Sequence, residues 1–154
     1  MPTSQPRFRE KLHPSVWIFA ATALVIPASL LVFLPIDLIV GVIVAIGLYA
    51  AIVVLLIATT PTIEVGGGML RAGRARLPLT VVADARAAHG PEAVHERGVG
   101  LHADAWLLIR GWIPDLVRVN LADPDDPTPY WILSSRRPDE LAAAIVAERD
   151  AASV

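Results

Sequence analysis

Two apolar runs in tandem decide what this chain can fold into. "VWIFAATALVIPASLLVFL", Val16 to Leu34, is nineteen residues without a charge. After a short "PID", "LIVGVIVAIGLYAAIVVLLIA" fills Leu38 to Ala58, another twenty-one residues. As a helix the first run reaches about 28 Å, close to the hydrocarbon thickness of a bilayer. Between Val16 and Ala58 the only ionisable groups are Asp37 and Tyr49. One such run fits the buried helix of a soluble protein; two in succession predict a membrane hairpin.

The basic "RFREK" that precedes the first run has the composition of a signal-peptide start. The run is long for a signal, however, and a second span follows at once with no mature domain between. Pro27 is expected to kink the first helix rather than end it, because neighbouring groups in a membrane re-satisfy the freed carbonyl. Asp37 opens the second run, where it can cap free backbone N–H groups at the water interface. No basic partner or second acid lies nearby to make it a proton relay. Gly41 with Ala45, and Gly47 with Ala51, are small pairs four apart that allow close helix approach.

Charge sets the expected orientation. Arg7, Arg9 and Lys11 precede the first span, and Arg71, Arg74 and Arg76 follow the second within about twenty residues. The "PID" connection carries no basic residue. The expectation is a multi-pass protein of the plasma membrane with both termini cytoplasmic. Residues 1–15 read as a cytoplasmic N-terminal segment, 16–58 as the hairpin, and 59–154 as a cytosolic domain.

Past Pro61 the pattern changes to short segments punctuated by turns. "TIEV", "MLRAG", "RARLPLTVVADARAA", "AWLLIRG", "DLVRVNLAD" and "TPYWILSS" read as about six antiparallel strands. "GGG" at 66–68 and Gly73 supply turns that tolerate positive φ. "HGPEAVHERGVGLHAD" reads as a loop. "RRPDELAAAI" starts a helix: Pro138 suits the first turn, Asp139 and Glu140 complement the helix dipole, and Leu141, Ala144 and Ile145 form one face. The sum is a small, mostly-β α+β domain closed by a C-terminal helix.

"TIEVGGGMLRAGRARLPLTVVADARA" and the "SSRRPDELAAAI" ending resemble bacterial pleckstrin-homology-like domains. That resemblance implies a bent antiparallel sheet, or partly open barrel, with a C-terminal helix. Over "FREKLHPSVW", the two spans, "RARLPL" and "VNLADPDDPTPYWILSSRRPDELAAAI", the chain resembles small actinobacterial membrane proteins grouped as domain of unknown function 3093. This second resemblance implies a membrane hairpin with a cytosolic domain. It brings no functional residues with it.

Residues 59–154 hold ten Arg against thirteen Asp and Glu, which argues against nucleic-acid binding. There is no cysteine, hence no thiol chemistry. Nucleophile elbows, phosphate loops and zinc patterns are missing from the sequence, and no cofactor is expected. Asp123, Asp125 and Asp126 lack the glycine and the terminal Glu of a calcium loop and read as a solvated turn. His89, His95 and His102 share one segment without metal-ligand spacing.

The binding candidates are Arg71, Arg74 and Arg76, which lie near the membrane and suit anionic lipid head groups or serve only to set topology. Trp112, in "RGWIPD", is either a contact anchor for a partner or the bilayer, or part of the core. The expected function is a non-enzymatic, membrane-anchored adaptor. The alternative is an accessory subunit of, or an enzyme acting on, a membrane or envelope substrate.

Overall fold

The computed structural model describes residues 6–152. The chain divides into two compact units: His13–Thr60, and Met1–Leu12 together with Pro61–Val154.

The first unit is helical. Helices α1 (Val16–Thr22) and α2 (Val25–Phe33) are successive parts of one apolar stretch, and α3 (Leu38–Ala58) is the second. Both stretches are long and apolar enough to cross a membrane. The interruption at Ala23 and Leu24 follows from Pro27. Proline has no N–H, so the Ala23 carbonyl has no donor four residues on and instead accepts the Ile26 N–H at 3.0 Å. The chain stays helical through this tightened turn, as a kink requires. Asp37 caps α3 as expected, accepting the N–H groups of Ile39 at 2.7 Å and Val40 at 3.1 Å. The hydroxyls of Thr22, Thr59 and Thr60 donate to carbonyls one turn back, which satisfies these polar groups within their own helices.

The two small-residue pairs behave differently. Gly41 and Ala45 are the buried residues of α3, and a Cβ on Gly41 would lie 2.9 Å from the Cβ of Phe33. Gly47 has open space around it, and Ala51 is exposed. Large apolar side chains cover the outside of this unit: among the described residues, every exposed large hydrophobic except Val94, Val99 and Leu107 belongs to it. A core helix of a soluble protein would hide these groups.

Among the described residues the second unit has eight strands in two sheets. Strands β1 (Phe8–Lys11), β2 (Thr62–Gly66), β3 (Met69–Ala72) and β4 (Ala75–Pro78) form an antiparallel sheet in that order. The other sheet has the order β5 (Val82–Ala88), β7 (Leu116–Leu121), β8 (Tyr130–Ser134), β6 (Trp106–Leu108). Helix α5 (Pro138–Ala152) packs on β5 and β7 of one sheet and on β2 and β1 of the other. Leu141 and Ile145 are fully buried, as the helix-face reading requires. Val117 and Val119 of β7 enter the same core.

The glycine turns follow their chemistry. Gly67 and Gly68 make a two-residue hairpin with φ of 62° and 71°, a demand that β-carbons resist. Gly73, at φ 61°, begins the next hairpin.

Four features differ from the sequence reading. Residues 8–11 are not merely a charged segment: they form β1, paired with β2 in the register Phe8↔Val65 to Lys11↔Thr62. The long strand expected from Arg74 onward breaks after Pro78, where a 3-10 turn (Leu79–Val81) carries the chain into the other sheet. The expected loop after His89 contains a short helix, α4 (Gly90–Glu96), with Pro91 in its first turn. Finally, β6 runs parallel to β8, so the strands are not all antiparallel. The other turn readings stand. Asp123 and Asp126 each accept the N–H two residues on, at 3.0 and 2.8 Å.

Candidate basic face of the N-terminal sheet

Alternation in β1 sends Phe8, Glu10 and Leu12 inward and leaves Arg7, Arg9 and Lys11 exposed. In β2, Ile63 and Val65 point to the core, and Glu64 lies between them on the other face. Strand β3 buries Leu70 and Ala72 and exposes Arg71; β4 buries Leu77 and exposes Arg76. The register then sets one row across the whole sheet. Arg9 stands opposite Glu64, Glu64 opposite Arg71, and Arg71 opposite Arg76. Arg74 lies beside this row in the β3–β4 turn.

The row contains one acid, and it is already engaged: the Arg9 guanidinium lies 3.0 Å from the Glu64 carboxylate. Arg7 reaches Glu148 of α5 at 3.3 Å. Arg71, Arg74 and Arg76 make no side-chain hydrogen bond or ion pair with any described residue. They border a hollow of about 420 Å³ that Thr62, Glu64 and Gly73 also line. A smaller hollow, of about 210 Å³, adjoins it at Pro6, Glu64, Gly66, Gly67, Met69 and Arg71. The structure thus brings the three sequence-predicted arginines together, and adds Arg9 and Lys11 on the same face.

Trp112 is elsewhere. Its ring is half-buried and packs against the main core, and its Nε1 is buried with no hydrogen-bond partner among the described residues. The Arg110 guanidinium sits 5.9 Å from its ring centroid. Trp112 lines neither hollow.

The three histidines do not converge. His89 bridges Asp115 at 3.4 Å and Asp139 at 3.1 Å. Hydrogen bonds to those carboxylates, Asp139 first, raise its pKa above the ordinary imidazole value. His102 accepts the Asp104 N–H at 3.2 Å, and His95 packs beside Gly100. Among the described residues no group of three or more His, Asp or Glu side chains is placed to hold a metal ion.

One polar residue of this sheet escaped the sequence reading. Glu10 is buried, accepting the Ser135 hydroxyl at 2.5 Å and the Arg136 N–H at 2.9 Å. Arg137 completes the junction, donating to the Arg9 carbonyl at 2.9 Å and stacking 4.7 Å from the Phe8 ring. The signal was present in "FREKL": an acid at the parity of Phe8 and Leu12 must be either buried and paired, or the segment is not a strand.

The segments that make this junction, at the two ends of the chain, both fall within one family match. A family described as protein of unknown function (DUF3093) matches residues 7–145. The chain belongs to this family. No curated protein and no solved structure matches it. The family match spans β1, both apolar stretches, both sheets and the first half of α5. The family therefore comprises the hairpin and the two-sheet domain as one unit of sequence.

Proposed function

We propose that the chain is a non-enzymatic, membrane-anchored interaction module at the inner face of the plasma membrane, with the basic face of its N-terminal sheet toward anionic lipid head groups. The observation that carries this reading is the place of the hairpin in the chain: it is spliced between two neighbouring strands of one sheet. The Leu12 N–H donates to the Pro61 carbonyl at 3.0 Å, so the two strands meet where the chain leaves and re-enters the domain. If the apolar stretches span a bilayer, both ends of the hairpin must then lie on one side of it. The basic residues flanking the hairpin support a cytoplasmic side, because Lys and Arg near spans are retained there. Each arginine near an anionic surface contributes on the order of 1 kcal/mol, lost over about a Debye length.

The two-sheet architecture and the closing helix α5 support a pleckstrin-homology-like fold. The parallel β6–β8 pair departs from that pattern. The non-enzymatic part of the proposal rests on the polar clusters. Glu10 with Ser135, His89 with its two aspartates, and Arg118 with Glu96 each join elements of the fold.

Topology reporters fused at the N-terminus and after Val154 test the reading directly. Both are expected to report the cytoplasm. An external signal at both ends would reverse the orientation. Signals on opposite sides would break the hairpin itself, because β1 and β2 could no longer pair.

A further inference from the structure

We infer that the hollow bordered by Arg71, Arg74 and Arg76 is a discrete site for one phosphate-bearing anion. The inference rests on the basic-face reading and narrows it. A diffuse basic surface attracts any anion in proportion to charge, whereas a site saturates with one.

The register supplies the first reason. Arg71 and Arg76 are directly opposed in an antiparallel pair, where Cβ atoms lie roughly 5 Å apart and like charges destabilise. An anion held between them converts that repulsion into two attractions. Arg86 and Arg118 are also directly opposed, in the other sheet, but there Arg118 is drawn away. It binds Glu96 at 2.7 Å and lies 3.8 Å from the Tyr130 ring centroid. Arg71 and Arg76 form no ion pair with a described residue, and the nearby Glu64 is paired with Arg9.

The shape supplies the second reason. The hollow is concave, and its lining is polar or glycine throughout: Thr62, Glu64, Arg71, Gly73, Arg74 and Arg76. Gly73 adopts a positive φ and keeps side-chain bulk off the rim. Three guanidinium forks match the oxygens of a phosphate better than the two of a carboxylate. A phosphate occupies only part of a space of about 420 Å³, which leaves room for the group that carries it. That group belongs either to a lipid head or to a soluble phosphate compound.

Calorimetry on the full-length chain in maltoside micelles tests the site, with inorganic phosphate and short-chain phosphatidic acid as probes. The expected result is one saturable equivalent of phosphatidic acid. Binding should weaken about tenfold or more in Arg71→Gln and Arg76→Gln, the size of one lost charge-assisted contact, and stay unchanged in Arg86→Gln. In the absence of anion, Arg76→Gln should melt no lower than the parent, since it removes a like-charge contact; this separates lost binding from lost folding. Saturable binding of both probes assigns recognition to phosphate itself, and binding of phosphatidic acid alone assigns it to the lipid. Non-saturating uptake, no uptake, or equal weakening in all three variants would overturn the site. Such a failure with both termini still cytoplasmic leaves the anchoring proposal standing.

Discussion

Glu10 shows how a single side chain can join distant parts of this protein. Its carboxylate is buried and accepts two donors from the segment just before α5. Removing it strands those donors, which costs more than the net value of the hydrogen bonds themselves. Glu10→Ala should therefore destabilise the full chain in micelles by about 1–3 kcal/mol, read by denaturant unfolding. Glu64→Ala, which breaks a pair with the exposed Arg9, should cost about 0–1 kcal/mol. Equal losses would mean that the Glu10 junction contributes no more than a surface ion pair. His89 carries the pH dependence. Its folded pKa lies above 6.5, raised by Asp139 and Asp115. The imidazolium form is thus favoured by folding. Its stabilisation is fully present below about pH 6.5, the unfolded value, and is lost as pH rises through the higher folded value. Thermal unfolding should show a small decline across that window, absent in His89→Gln. Because His89 is exposed, the decline should shrink with added salt.

At the scale of the element, helix α3 separates two glycines that look equivalent in sequence. Gly41 meets Phe33, and an added Cβ would approach the Phe33 Cβ to 2.9 Å. The atom it meets is fixed to the backbone of the facing helix and cannot swing aside. Gly41→Ala should cost about 1–3 kcal/mol through overpacking, measured as thermal unfolding by circular dichroism in micelles. Gly47 has nothing within reach, so Gly47→Ala should be neutral or should stabilise by about 0.5–1 kcal/mol through helix propensity. The same sign for both substitutions would show that the Gly41 contact is not made in the folded hairpin. Strand β4 shows the converse effect of a single residue. Pro78 can sit only at a sheet edge, and the chain turns there from one sheet to the other.

At the scale of the molecule, the splice of the hairpin into a sheet determines which pieces can fold. Residues 61–154 lack β1, and with it the buried Phe8, Leu12 and Glu10. That fragment should aggregate or remain unfolded, since it uncovers the core surface that Phe8 and Leu12 bury and leaves the paired edge of β2 open. Replacing residues 13–60 with Asn-Gly should instead yield a soluble, cooperatively melting domain. Leu12 and Pro61 are already joined by the one backbone hydrogen bond that Pro61, which has no N–H, allows, and Asn-Gly is long enough to span that gap in a two-residue turn. Circular dichroism and size-exclusion profiles of the two proteins decide the matter; a well-folded 61–154 fragment would deny β1 its place in the core. Much of this architecture was legible locally. Two charge-free runs of spanning length, the glycine hairpin at 66–68, the Asp37 cap, the Asp123–Asp126 turn and the α5 start each depend on residues within a few positions of one another. What tertiary structure alone decided involves residues far apart in the chain: Glu10 with Ser135, β6 parallel to β8, and β1 paired with β2 across the hairpin. The gathering of Arg71, Arg74 and Arg76 into one hollow belongs to both. Their spacing is local, but only the strand register sets Arg71 between Glu64 and Arg76, because pairing across strands is chosen by the whole core rather than by neighbours in sequence.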